Sequence, residues 1–172
     1  MIVLGIDPGA RTGLALYGTN DANRPQLIDA VSIDWGETGQ EVKDRLKLWQ
    51  KIIPHLDLVA VEIPRQGGAL FRHGRAIPSQ MGKALKMARN VGACYAKAES
   101  LAGYCEGLGL KVVRKEPASG GTKRGVTAET WKAIFPEFQR QTSEHSRDAA
   151  LLARRVWDAA RFMARIEDGK GA

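Results

Sequence analysis

The chain begins MIVLGIDPGARTGLALYG, residues 1–18. A short apolar run rich in β-formers ends on Asp7, and Pro8 and Gly9 turn the chain at once. Residues 12–17 then read as a second strand, leaving a tight turn at Pro8-Gly9-Ala10-Arg11. An ionised carboxylate closing a strand that looks buried is costly unless something compensates its charge. The rest of the chain must therefore supply a partner for Asp7.

Working outward, residues 26–33 read as a third strand, close enough to the first two for an antiparallel meander. Residues 40–53 show helical spacing, with Val42, Leu46, Trp49 and Ile53 on one stripe, and Pro54 ends the run. Residues 58–63 (LVAVEI) form a fourth strand, continuous enough to be buried on both faces. Residues 64–78, PRQGGALFRHGRAIP, read as a loop, and Ser79 as the N-cap of a long helix over 80–108. A fifth strand over 110–114 leads into a second loop, KEPASGGTKRG, at 115–125. Thr127 caps a short helix through Phe135, and Ser143 caps a last helix over 144–166. The tail EDGKGA reads as frayed. The order is βββαβαβαα without repeats, an α/β pattern read as one domain over 1–172.

Composition narrows the function. The 172 residues carry 44% hydrophobic and 26% charged side chains, ordinary for a globular protein with a real core. No apolar run reaches membrane-spanning length, and the N-terminus lacks the basic start of a signal peptide, so no membrane association is expected. Cys94 and Cys105 fall on one predicted helix about 16 Å apart along its axis, too far for a disulfide. A reducing, cytoplasmic setting is expected. The net charge of +7 and the pI near 9.6 favour polyanionic partners, although solubility alone is the bland alternative.

Three places put ionisable groups where apolar packing is expected. Asp7 ends strand one, Glu62 sits within VAVEIP of strand four, and His145 and Asp148 open the last helix in EHSRDAALLARR. Residues three apart on a helix share a face, so His145 and Asp148 can point the same way. Each residue alone has a plain reading: a turn aspartate, an edge glutamate, a surface histidine, an acid favoured by the helix dipole. Together they differ. A right-handed crossover after strand three makes strands one and four neighbours, which sets Asp7 beside Glu62. Adjacent carboxylates repel. A divalent cation relieves the repulsion, oxygen ligands suit Mg²⁺ or Mn²⁺, and a pair of such ions can drive phosphodiester hydrolysis.

GIDPG at the end of strand one, VEIP in strand four and H-x-x-D followed by AALLA in the last helix resemble the RuvC family of Holliday junction resolvases, within the RNase H-like superfamily. The resemblance runs in element order from residue 1 to about 157. It implies an RNase H-like fold with a mixed five-stranded sheet in the order 3-2-1-4-5 flanked by helices. It implies a homodimer, two Mg²⁺ ions with Mn²⁺ able to substitute, and no small-molecule cofactor. The implied reaction is paired nicking of a four-way DNA junction to 5′-phosphate and 3′-hydroxyl ends. Asp7, Glu62 and Asp148 are the implied metal ligands and catalytic residues, with His145 assisting. The sequence departs from the usual pattern at His145, where an aspartate is common. An imidazole adds no negative charge, so one weaker metal site or a shift toward Mn²⁺ is expected. The loop after Glu62 is also longer than in typical bacterial members, which hints at a phage or divergent version.

DNA phosphates would meet two basic loops: Arg65, Arg72 and Arg75 after Glu62, and Arg114, Lys115, Lys123 and Arg124 around the second. Phe71 is the one large aromatic of its loop, suited to stack on an unpaired base for about 1–3 kcal/mol, or else to tuck beneath the loop. Small residues of the long helix (Gly82, Ala88, Gly92, Ala96, Gly103) suit either a dimer interface or close packing on the sheet. Three rival functions remain. Sugar kinases and actin-like ATPases share the opening strand, but they need a second phosphate loop and a second lobe. Another RNase H-like nuclease would prefer flaps, branched DNA or RNA–DNA hybrids, and a non-catalytic junction-binding module would bind without nicking.

Overall fold

The computed structural model describes residues 1–20, 23–53, 55–64, 78–117, 126–167 and 169. Strands β1 (Ile2–Asp7), β2 (Arg11–Thr19) and β3 (Pro25–Asp34) form an antiparallel meander. Helix α1 (Gln40–Ile52) then crosses back, and β4 (Leu56–Glu62) pairs parallel with β1. Helix α2 (Pro78–Gly107) precedes β5 (Val112–Lys115), which pairs parallel with β4. Helices α3 (Ala128–Ile134) and α4 (Glu144–Glu167) complete the described elements. The sheet order is β3-β2-β1-β4-β5, the mixed order expected.

Strand alternation sorts the side chains onto two faces. Leu4, Ile6, Leu14, Leu16, Val59 and Val61 pack with Val42, Leu46 and Trp49 of α1 and Leu101 and Cys105 of α2. Val3, Ala15, Tyr17, Leu58 and Ala60 face the other way, against Ala149, Ala153, Val156 and Trp157 of α4 and Phe135 beyond α3. The two central strands are thus buried on both faces, as the unbroken apolar run of β4 predicts. Tyr17 stands edge-on to both Phe135 and Trp157, with ring centroids 6.0 and 5.5 Å away. The Trp157 Nε1–H donates to the Met1 carbonyl at 3.1 Å, tying α4 to the chain start.

Two helix starts follow their side-chain caps. Thr127 Oγ1 accepts from the Thr130 N–H at 3.2 Å. Ser143 and Ser146 cap reciprocally: each side-chain oxygen accepts from the other's backbone N–H, at 3.1 and 2.9 Å. The long helix corrects expectation at both ends. It begins at Pro78, with Ser79 inside its first turn instead of capping it. A proline at the first helical position presets φ and has no N–H to satisfy there. At the far end Gly109 takes φ +78°, and the Leu110 N–H returns to the Cys105 carbonyl at 3.1 Å. That closure consumes residues 108–110, so β5 starts at Val112 and extends to Lys115.

Gly82, Gly92 and Gly103 of α2 face open space. They do not serve close packing on the sheet, one of the two roles anticipated for the small-residue stripe.

Candidate active site at the carboxyl end of the central strands

Asp7 is the last residue of β1 and pairs with Gly13 of β2. Its strand neighbours Val3 and Gly5 lie on the α4 face, so Asp7 leaves the sheet toward α4 as well. The β1–β4 register reaches Ile6 against Val61. The next residues along are Asp7 and Glu62, and both turn toward α4, since Leu58 and Ala60 share that face. Both residues are buried, at 7% and 9% exposure.

The amino end of α4 closes over them because two glycines let it. A Cβ on Gly13 would overlap the His145 carbonyl and lie 2.9 Å from the Ser146 nitrogen. A Cβ on Gly5 would overlap the Ala149 carbonyl and lie 3.0 Å from the Ala153 Cβ. Backbone therefore rests on backbone, and the first turn of α4 is pressed against β1 and β2. That docking brings His145 Nδ1 to 3.1 Å from Asp7 Oδ2. An ionised carboxylate only accepts, so with Asp7 charged the Nδ1 carries the hydrogen, and in the neutral imidazole Nε2 then keeps its lone pair. This contact joins residues 138 positions apart in sequence and supplies a partner for the buried Asp7. Asp148 lies one turn further along α4 and is half-buried.

Of the four acidic and imidazole residues anticipated, Asp7 and His145 touch, Glu62 stands on the adjacent strand, and Asp148 follows on the same helix. Among the described residues, no three His, Cys, Asp or Glu side chains are grouped closely enough to hold a metal ion. The donor types nevertheless suit a hard divalent cation: two buried carboxylates, a third nearby, and an imidazole with one nitrogen open.

The anticipated DNA contacts divide. Arg65, Phe71, Arg72, Arg75, Lys123 and Arg124 lie outside the described residues. Lys115 sits directly beside Glu62 in the β4–β5 register and lines a groove of about 330 Å³ with Leu58, Val113, Leu152 and Arg155. Arg114 points to the opposite face. Its guanidinium meets Glu106 at 2.6 Å and Glu99 at 3.2 Å on α2. Glu106 first, and then Glu99, hold the Arg114 pKa above its ordinary value, and Arg114 in turn lowers that of Glu106.

One neighbour of the site escaped sequence reasoning. Lys97 of α2 donates from Nζ to the Gly9 carbonyl at 3.3 Å and lies 5.2 Å from the centroid of the Trp35 ring. Nothing in a lone lysine within an alanine-rich helix stretch signals a contact across 88 residues.

No family model and no curated protein matches the sequence. Solved structures do match. Thermus thermophilus RuvC in complex with a Holliday junction substrate aligns with a TM-score of 0.59 at 20% identity, over 94% of this chain and 96% of that one. Thermus thermophilus RuvC in a second structure aligns at 0.55 and 18%, again over 94% and 96%. The Fowlpox virus resolvase, solved with Holliday junction DNA, aligns at 0.52 and 14%, over 91% and 99%. The chain has the RNase H-like fold of the RuvC-like resolvases over nearly its whole length.

Proposed function

We propose that this protein is a divalent-metal-dependent endonuclease that resolves four-way DNA junctions by paired, symmetric nicks. The observation that carries the reading is the Asp7–His145 contact beside Glu62, at the same end of the central strands and under the amino end of α4. The fold neighbours, two of them solved with Holliday junction DNA, supply the substrate class. Net charge +7 suits such a polyanion.

In this reading Asp7, Glu62 and Asp148 are the carboxylates that would hold two Mg²⁺ ions, with Mn²⁺ an acceptable substitute. Such ions, if held there, would supply Lewis acidity at a phosphate, and the proposed products are 5′-phosphate and 3′-hydroxyl ends. Asp7 fixes the His145 tautomer, so that Nε2 can ligate a cation or take a proton. Lys115 is the strand residue proposed to meet a phosphate. Arg65, Arg72, Arg75, Lys123 and Arg124 are proposed to do the same from the two loops, and Phe71 to stack on a base at the crossover.

A four-way junction has approximate two-fold symmetry, so paired cuts ask for a two-fold dimer. The exposed face of α2 carrying Gly82, Leu85, Gly92 and Gly103 is the proposed contact, Leu85 being 57% exposed. Incubation with a synthetic four-way junction, a flap, an RNA–DNA hybrid and a linear duplex tests the proposal. Preferential Mg²⁺-dependent nicking of the junction supports it, and preference for the flap or hybrid moves the assignment to another nuclease of this fold.

A further inference from the structure

We infer that Lys97 is a positioning residue for Asp7, acting through the turn at residues 8–10. The part of this inference that concerns catalysis rests on the nuclease reading above. Asp7 is the last β1 residue held by the sheet, and beyond it the chain must reverse within three residues to reach Arg11. Strand alternation sends Asp7 toward α4, and how firmly it is held there depends also on what holds that turn.

Two groups hold it, one from the end of β3 and one from α2. The Trp35 N–H donates to the Ala10 carbonyl at 2.8 Å, and the Lys97 ammonium donates to the Gly9 carbonyl at 3.3 Å. From the α4 side the His145 ring closes in, its Cε1 only 3.7 Å from where a Gly9 Cβ would stand. The turn is thus a wedge between Lys97 and His145, and Gly9 is buried there.

Lys97 is itself held in place. Its ammonium lies 5.2 Å from the Trp35 ring centroid, within cation–π range. The ring is fixed in turn by Gly39, where φ is +68° and a Cβ would approach the indole to 2.7 Å. A lysine half-buried, stacked on a fixed ring and bonded to a backbone carbonyl is no freely solvated surface charge. Its placement clamps the β1–β2 turn against α2, and with it the direction of Asp7 toward His145.

The test compares wild type with Lys97→Met, which keeps the aliphatic stem, and Lys97→Arg, which restores a charged donor. Amide hydrogen exchange over residues 9–11 reads the clamp directly. Single-turnover nicking, junction Kd and thermal melting read its consequence. Lys97→Met is expected to speed exchange at 9–11 and to slow nicking, each about tenfold, the loss typical of a hydrogen bond to a charged group. Junction Kd should stay within about twofold, and Lys97→Arg, which keeps a charged donor able to lie over the Trp35 ring, should restore both exchange and rate. Unchanged exchange in Lys97→Met, or a rate loss that arginine does not rescue, overturns the inference. If wild type nicks no junction, the nuclease reading fails and the exchange measurement alone decides the clamp. Should Lys97→Met not fold, Trp35→Leu removes the ring beneath the ammonium while keeping the N–H bond to Ala10. It should speed exchange by a smaller factor, and no change there is equally fatal.

Discussion

Replacing Gly13 by alanine probes how the site is built. The added Cβ would overlap the His145 carbonyl and sit 2.9 Å from the Ser146 nitrogen, where ordinary contact begins at 3.4 Å. Both obstacles are backbone, so neither can turn aside. The first turn of α4 must lift by roughly 1 Å or more, enough to stretch the 3.1 Å Asp7–His145 bond beyond hydrogen-bond range. Overpacking of this kind costs about 1–3 kcal/mol, and a backbone obstacle puts Gly13→Ala at the upper end. Loss of the Asp7–His145 bond adds about 1 kcal/mol. For a chain of this size the sum lowers Tm by roughly 8–16 °C. Gly107→Ala is the control: nothing would meet an added Cβ at that last residue of α2, and alanine there should cost no stability and add up to about 0.5 kcal/mol. Thermal unfolding followed by circular dichroism measures both. A Gly13→Ala melting point equal to that of wild type would mean that α4 does not rest on β2, and the account of how His145 reaches Asp7 would fail.

Other expectations come from face and burial. Lys115→Ala should weaken junction binding and lower the slope of log Kd against log salt by about 0.9, whereas Arg114→Ala should leave that slope unchanged. Equal slopes for the two variants would contradict the placement of Arg114 against α2. Burial pushes the Cys105 thiol up from 9.0 to about 12, with Glu106 adding to the rise. Folded protein therefore keeps this thiol neutral at a pH where unfolded chain ionises it. Its contribution to stability is full below about pH 9 and falls, by at most about 1.4 kcal/mol per pH unit, as pH rises toward 12. Tyr17, also raised chiefly by burial, acts in the same direction, so the difference between wild type and Cys105→Ala isolates the thiol. Alkylation under native conditions should modify the half-buried Cys94 and spare Cys105; prompt modification of Cys105 would refute its burial.

Much of this arrangement could be read from the chain because local chemistry and global fold agree. The apolar run into Asp7, the Pro8-Gly9 turn and the continuous β4 fix which strands are central. The crossover rule then brings β1 to β4. Ser143 and Thr127 announce their helices through caps that the structure contains. The errors have equally local causes. Pro78 opens α2 because an N–H is not needed at that position, and Ser79 misleads as a cap. Arg114 and Lys115 read as one basic cluster because the strand was expected to stop at 114. Once β5 runs through 115, adjacent residues must face opposite sides of the sheet, and only Lys115 stays beside Glu62. The roles of Gly5 and Gly13 depend on how closely α4 approaches the sheet, and the Lys97–Gly9 contact on α2 crossing the turn. Both are products of tertiary packing that no periodicity encodes.

The central claim is that the carboxylates at the end of β1 and β4, with His145, form a metal-dependent nuclease site. The most direct measurement is nicking of a labelled four-way junction by wild type and Asp7→Asn, with and without Mg²⁺ or Mn²⁺, alongside junction binding. Symmetric nicks by wild type that require the cation, and their loss in Asp7→Asn with binding retained, are the predicted result. Equal cleavage by the variant, or cleavage indifferent to added cation and to chelator, would contradict it.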